Sequence, residues 1–208
     1  KLMFNDASQF IQGSSATVLS LGATDEIDLT ATAIDVNGTM DVSGAITSSA
    51  GATITVADNS DVLSLVSTDA DANSGPVLSL YRNSASPADS DVGGQIEFHA
   101  ENDADEKITY ATIRIKTADV SDGTEDGTLA IQTITAGSNR NRFNIQAAET
   151  VINEDSRDLD FRVESDSLSH ALFVDAGNNR VGINESSPDN TLHINGGSDN
   201  TVLKVEST

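Results

Sequence analysis

The sequence predicts an all-β protein in which short-rung stem segments, β-helix- or β-solenoid-like, flank a compact antiparallel β module. Three observations predict it. Apolar residues recur as pairs of the form Φ-x-Φ, where Φ is a large aliphatic residue, and alternation with a period of two marks a half-buried strand. Turn-forming Gly, Asn, Asp, Ser and Thr separate each pair from the next. No window carries apolar residues at i, i+3, i+4 and i+7 for long enough to make a helix.

Residues 1–65 read as a repetitive stem. The pairs start at Leu19, Ile27, Ile34, Met40, Ile46 (a weaker one), Ile54 and Leu63, in steps of 8, 7, 6, 6, 8 and 9 residues. The tetrapeptide Val-Leu-Ser-Leu belongs to this pattern and occurs three times, at Val18–Leu21, Val62–Leu65 and Val77–Leu80. The starts fall on odd and even positions alike, so each turn resets which face is buried. Strands of about three to four residues cannot close a core alone. Stacking of rungs solves this, with identical chains meeting at a shared axis. A narrow axis takes Ile, Val, Leu, Ala and Thr and excludes Trp, which the chain lacks. The Leu pairs of the tetrapeptide are expected inside, its Ser and the flanking polar residues outside.

Residues 66–148 read as the antiparallel module. Its strand candidates are longer: 75–83, 93–102, 106–118, 127–137 and 141–149. Pairing of 107–118 with 128–136 across the loop 119–127 predicts a long hairpin. Both Tyr lie here, and the module is expected to bury a more conventional core. Residues 149–208 return to short rungs. Segments 158–165 and 170–179 predict another hairpin. The pairs Val181/Ile183, Leu192/Ile194 and Leu203/Val205 then follow at 11-residue steps, joined by turn-rich connections.

Composition excludes several partners. With 33 Asp+Glu against 11 Lys+Arg and a net charge of −22, the chain offers no clustered cations for a nucleic acid or an anionic membrane surface. It has no Cys, which removes disulfides and Cys-based zinc sites. No apolar run is long enough for a membrane span, and the N-terminus lacks the regions of a signal peptide. It also lacks an initiator Met, so the chain reads as an internal piece of something longer or as a processed product.

At 166–194 the sequence resembles a motif common in tail-fibre and tail-spike proteins of tailed bacteriophages, Φ-x-Φ-D-x-x-x-x-x-V-G-I-(N/G)-x-x-x-P-x-x-x-L-H-(I/V). Asp175, Val181, Gly182, Ile183, Pro188, Leu192, His193 and Ile194 stand at its positions. Residues 75–113 are similar to a module of such fibres, especially in marine phages, and the two likenesses together span roughly 60–195. The motif is also found in some bacterial surface and prophage-derived proteins. The resemblance implies an elongated homotrimeric fibre, extracellular and carried on the virion as a tail appendage. Its partners would be two further copies of itself, other tail or baseplate proteins, and the bacterial host surface through a tip outside this segment. Such fibres often end in a self-cleaving intramolecular chaperone, and this chain stops before one.

Chemistry-bearing candidates are few. Asp69, Asp71 and Asn73 open like a calcium loop, but an EF-hand needs Gly sixth and Glu twelfth, where Ser74 and Leu80 stand. Asp119–Gly127 holds four acids in nine residues. An acidic hairpin turn accounts for it better than a metal site. His99, His170 and His193 are far apart in sequence. A hydrogen-bonding role is the simpler reading for His193, with an axial metal shared by three chains as the alternative. Asn37 and Asn184 match the glycosylation sequon and read as turn residues. The loop 84–94 is a candidate glycan contact. No nucleophile elbow, dinucleotide fingerprint or P-loop occurs, and a chain without Trp lacks the best sugar platform. The expected function is therefore non-enzymatic: a structural stem and spacer for host attachment, with no catalytic, cofactor-binding or metal residue assigned and no cofactor. The alternatives are a tail-spike with glycan-binding or depolymerase activity, recognised by a carboxylate pair in a groove, and a head-decoration fibre or bacterial surface adhesin.

Overall fold

The computed structural model describes residues 2–3 and 8–197. Among the described residues all regular structure is β, in three open sheets, and no helix is long and apolar enough to cross a membrane. The chain divides into two compact units, 1–65 and 66–208.

The first unit holds one small antiparallel sheet of β1 (Leu2–Met3), β2 (Phe10–Gly13) and β3 (Leu19–Gly22). Ile11 pairs with Leu21, and Phe10 with Gly22. A Cβ on Gly22 would stand 2.7 Å from the Phe10 ring, so glycine makes room for the ring on the partner strand. Beyond this sheet the expected rungs at Ile27, Ile34, Met40, Ile46, Ile54 and Leu63 form no strands, and the same holds through residue 91. Their polar residues close on themselves: Thr30 donates to Asp28 (3.1 Å), Asn37 to Asp35 (3.0 Å), and the Ser60 amide to Asp58 (2.9 Å). The Leu pairs expected inside are exposed in the single chain, Leu63 at 63 %. A three-residue rung offers too few ladder bonds and too little apolar area to offset the entropy of ordering it.

In the second unit, β4 (Val92–Glu101), β5 (Lys107–Asp119), β6 (Asp126–Thr135), β7 (Ser138–Ile145) and β8 (Thr150–Ile152) form a five-stranded antiparallel meander. The expected long hairpin is β5–β6, with Ile113 opposite Ile131. β6 turns into β7 through Ala136 and Gly137, both at positive φ (47° and 74°), as a two-residue hairpin loop requires. The sheet continues past residue 148 to include β8. One expected strand is absent: 75–83 is not in a ladder. It meets the sheet through side chains instead. Leu80 packs where a Gly94 Cβ would lie 2.9 Å away, and Arg82 donates to the Val92 carbonyl (3.2 Å) and pairs with Asp91 (3.0 Å).

The last four strands, β9 (Phe161–Val163), β10 (Leu172–Asp175), β11 (Arg180–Ile183) and β12 (Leu192–Ile194), make a mixed sheet in the order β12-β11-β10-β9. β9–β10 is the second expected hairpin. β11 and β12 run parallel, Val181 beside Leu192 and Ile183 beside Ile194, so the 11-residue step sets the Leu192/Ile194 pair next to Val181/Ile183. The third pair, Leu203/Val205, lies outside the described residues.

The buried interior is small. Among the described residues the buried apolar side chains are Ala130 and Phe173, with Pro188 fully enclosed. The conventional core expected within 66–148 does not form, because the five strands make one sheet with no second layer of strands packed on it.

Candidate functional site

The resemblance motif resolves into folding roles. Asp175 accepts the Asn178 amide and side-chain NH2 (both 2.9 Å). These bonds close the β10–β11 turn and hold its carboxyl below the usual aspartate range. Gly182 is there because a Cβ would strike the Glu185 carbonyl. Asn184 takes the left-handed φ of 53° and donates to the Asn195 carbonyl (2.8 Å). Pro188 is buried, and its carbonyl accepts from Arg180 (2.7 Å). Together these fold the connection from β11 back so that β12 runs parallel beside it, which the Val181 amide bond to the Thr191 carbonyl (2.9 Å) begins.

The other candidates are equally occupied. Asp69 accepts the Asp71 amide (3.2 Å), and Asp71 accepts both the amide and the side chain of Asn73 (2.8 Å each). These carboxylates make consecutive local turns rather than a convergent cage. Asp119 ends β5 and accepts the Ser121 amide (2.7 Å), and Gly123 at φ 85° completes an acidic hairpin turn. The loop 84–94 is stitched to the end of β5: the Ser90 amide bonds Thr117 O (2.7 Å) and the Val120 amide bonds Asp89 (3.1 Å).

The three histidines stay apart. His99 lies between Glu97 (3.1 Å) and Thr109 (3.2 Å). His170 meets Ser169 (2.9 Å) and sets its ring edge-on to Phe173 at 5.1 Å. His193 sits between Asp189 (3.2 Å) and Glu185 (3.8 Å), without hydrogen-bond geometry at Nδ1. Among the described residues no group of three or more His, Asp or Glu is placed to hold a metal ion. A depression of about 540 Å³ gathers Asp158, Asp160, Asp175 and Arg180. Asp160 accepts the Ala176 amide (3.0 Å), Asp158 packs against Gly177, and Arg180 is held by Pro188 O. These groups serve the loops around them.

The feature that sequence reading missed is the two-sidedness of the five-stranded sheet. One cross-strand row runs Ile96–Ile113–Ile131–Phe143–Ile152 through all five strands, and the next runs Gly94–Ile115–Leu129–Ile145–Thr150. Their isoleucines keep between 36 % (Ile113) and 44 % (Ile115) of their surface exposed. A groove of about 420 Å³ opens beside Ile115, Leu129 and Ile145. Away from the groove, Arg142 donates to Thr133 (2.6 Å) and Thr135 (2.7 Å).

The opposite face is polar and better covered. Thr112, Gln132 and Asn144 are buried there with Ala130, under the loop that ties Asp155 to Asn141 and Glu154 to Gln146. In the row Arg114–Ala130–Asn144, Arg114 Nε and Asn144 Oδ1 are buried without hydrogen bonds. The signal was legible in β5, where Ala111, Ile113 and Ile115 alternate with Thr112, Arg114 and Lys116. The module was expected to bury a more conventional core.

Compared with protein-family models, with curated proteins and with solved structures, the chain matches none.

Proposed function

We propose that this chain is a non-enzymatic structural segment of a bacteriophage tail fibre, a homotrimeric stem and spacer on the virion that carries a host-binding tip lying outside it. The observation that carries this reading is the surface left uncovered by one copy, its large aliphatic side chains included. The chain exposes 16719 Å², whereas a folded monomer of its mass exposes about 9,200 Å². The rungs of 18–80 contribute much of that surface, and in the trimer they complete their ladders and their core with the same rungs of two neighbours. The 11-residue parallel step from β11 to β12 supports a stacking of short rungs in the last segment. The carboxylates of the candidate sites are committed to turns, which favours a mechanical role over glycan cleavage.

An antibody raised against the chain and applied to particles from cultures that express it tests the assignment. Gold label on tail appendages is the expected result. Label confined to capsids or to cell surfaces would replace the tail fibre with a head-decoration fibre or an adhesin.

A further inference from the structure

We propose that the polar face of the β4–β8 sheet holds a binding site for a small hydroxylated carboxylate, between β5, β6, β7 and the loop after β8. The site belongs to the sheet of one chain and depends on neither the fibre reading nor self-association.

A cavity of about 220 Å³ opens on this face, and its lining includes Arg114, Lys116, Ala130, Asn144, Gln146 and Glu154. The register places it. Arg114 and Lys116 lie two apart on β5 and share one face. Ala130 stands opposite Arg114, and Asn144 opposite Ala130. The smallest side chain of the row therefore lies between two polar ones and leaves the hollow. The volume is below the ~300–1,000 Å³ of pockets for drug-sized ligands, which limits the occupant to a few carbons or one ring.

Three features give its chemistry. The first is charge. Among the described residues neither Arg114 nor Lys116 has an ion pair or a side-chain hydrogen bond, in a chain with 33 Asp+Glu. Glu154 shares the cavity and accepts from Gln146 (3.2 Å) instead. A guanidinium beside an ammonium suits one carboxylate, and two cations are too few for a polyanion. The second is unmet hydrogen bonding. Asn144 keeps 9 % of its surface exposed, and its Oδ1, like Arg114 Nε, is buried without a partner. Buried polar groups ordinarily have one. A carboxylate accepts from the arginine, and a hydroxyl, donor and acceptor at once, matches the amide of Asn144 whichever way it is turned. The third is that the neighbours are committed. Asn141 accepts from Gln132 (2.8 Å) and donates to Asp155 (3.1 Å), so it does not serve Asn144.

Calorimetric titration of the full native chain with glycolate, acetate, glucuronate and glucose tests the site. Glycolate or glucuronate should saturate it in the millimolar range, about five-fold more tightly than acetate, which lacks the hydroxyl. Glucose, which lacks the carboxylate, should not saturate it. Tighter binding of glycolate would identify a free hydroxy acid as the occupant, and tighter binding of glucuronate a sugar acid. Arg114→Gln and Lys116→Gln should each weaken the binding about ten-fold, with each variant's fold checked by its melting temperature. No saturation by either hydroxylated acid, acetate binding as tightly as both, or undiminished binding in folded variants would overturn the site. A measurement on the unsubstituted protein needs no variant to fold. The hydroxylated acid should slow modification of Lys116 by an amine-reactive ester and leave the exposed Lys107 unaffected. Equal modification of Lys116 with and without the acid would contradict the proposal.

Discussion

The segment 23–91 and the sheet 92–152 draw on the same aliphatic residues, yet only the second forms strands within one chain. Length is part of the difference, although β8, β9 and β12 pair at three residues each. β5 runs for 13 residues and β4 and β6 for 10 each, so each neighbouring pair gains a ladder long enough to offset its ordering entropy. A rung of three residues followed by a turn gains one or two bonds and then changes face. Both regions nevertheless leave their apolar side chains uncovered. The sheet has satisfied its backbone and still needs a cover for one face; the rungs need both backbone partners and a cover.

The sharpest way to break this comparison is Ile34→Asp. Ile34 is 57 % exposed in the single chain, so the substitution costs a lone chain little. At a threefold axis it brings three carboxylates together in a desolvated site, at several kcal/mol per ion. Light scattering should find monomers, and a wild-type-like trimer would show that the axis does not pass by this rung.

Gly182→Ala probes the β11–β12 connection, where a parallel pair is formed within one chain. Its methyl would strike the rigid Glu185 carbonyl, and a destabilisation of about 1–3 kcal/mol is expected in chemical denaturation. Asp155→Asn tests what covers the polar face of the sheet. The Asn141 amide (3.0 Å) and side chain (3.1 Å) donate to Asp155 and hold its carboxyl below the usual range, helped by Arg140 and Arg157. A depressed folded value means the contribution is complete above the unfolded pKa of about 3.9 and is lost as pH falls through the folded one. Wild type should therefore be more stable than the variant at pH 7, with the gap closing in acid. A gap that widened in acid would contradict the assignment. The smallest effect is a gain. Ala136 sits at φ 47°, where Asn is better tolerated, so Ala136→Asn should add about 0.5 kcal/mol and raise the melting temperature slightly.

The hairpin β5–β6 was legible because long alternation and a Gly/Asp turn specify antiparallel pairing locally, and β9–β10 because two short apolar alternations flank a polar connection. The parallel step from β11 to β12 was written in the 11-residue spacing and the Gly182, Asn184 and Pro188 that fold the connection. Two things were not legible. The 75–83 segment carries strand-like alternation but spends it on side-chain contact with Gly94, a tertiary preference that periodicity does not encode. The uncovered face of the sheet was hidden for a different reason: alternation says that one side is buried and does not say against what. Finishing the burial of its isoleucines would add roughly 0.5–1 kcal/mol apiece, a gain available only if another layer arrives.

The central claim, that copies of this chain cover one another's apolar surface, is tested most directly by the native mass in solution, measured by light scattering before and after heating. The account predicts a heat-resistant particle of three times the 21.7 kDa chain mass. A stable monomer at the same concentration would contradict it.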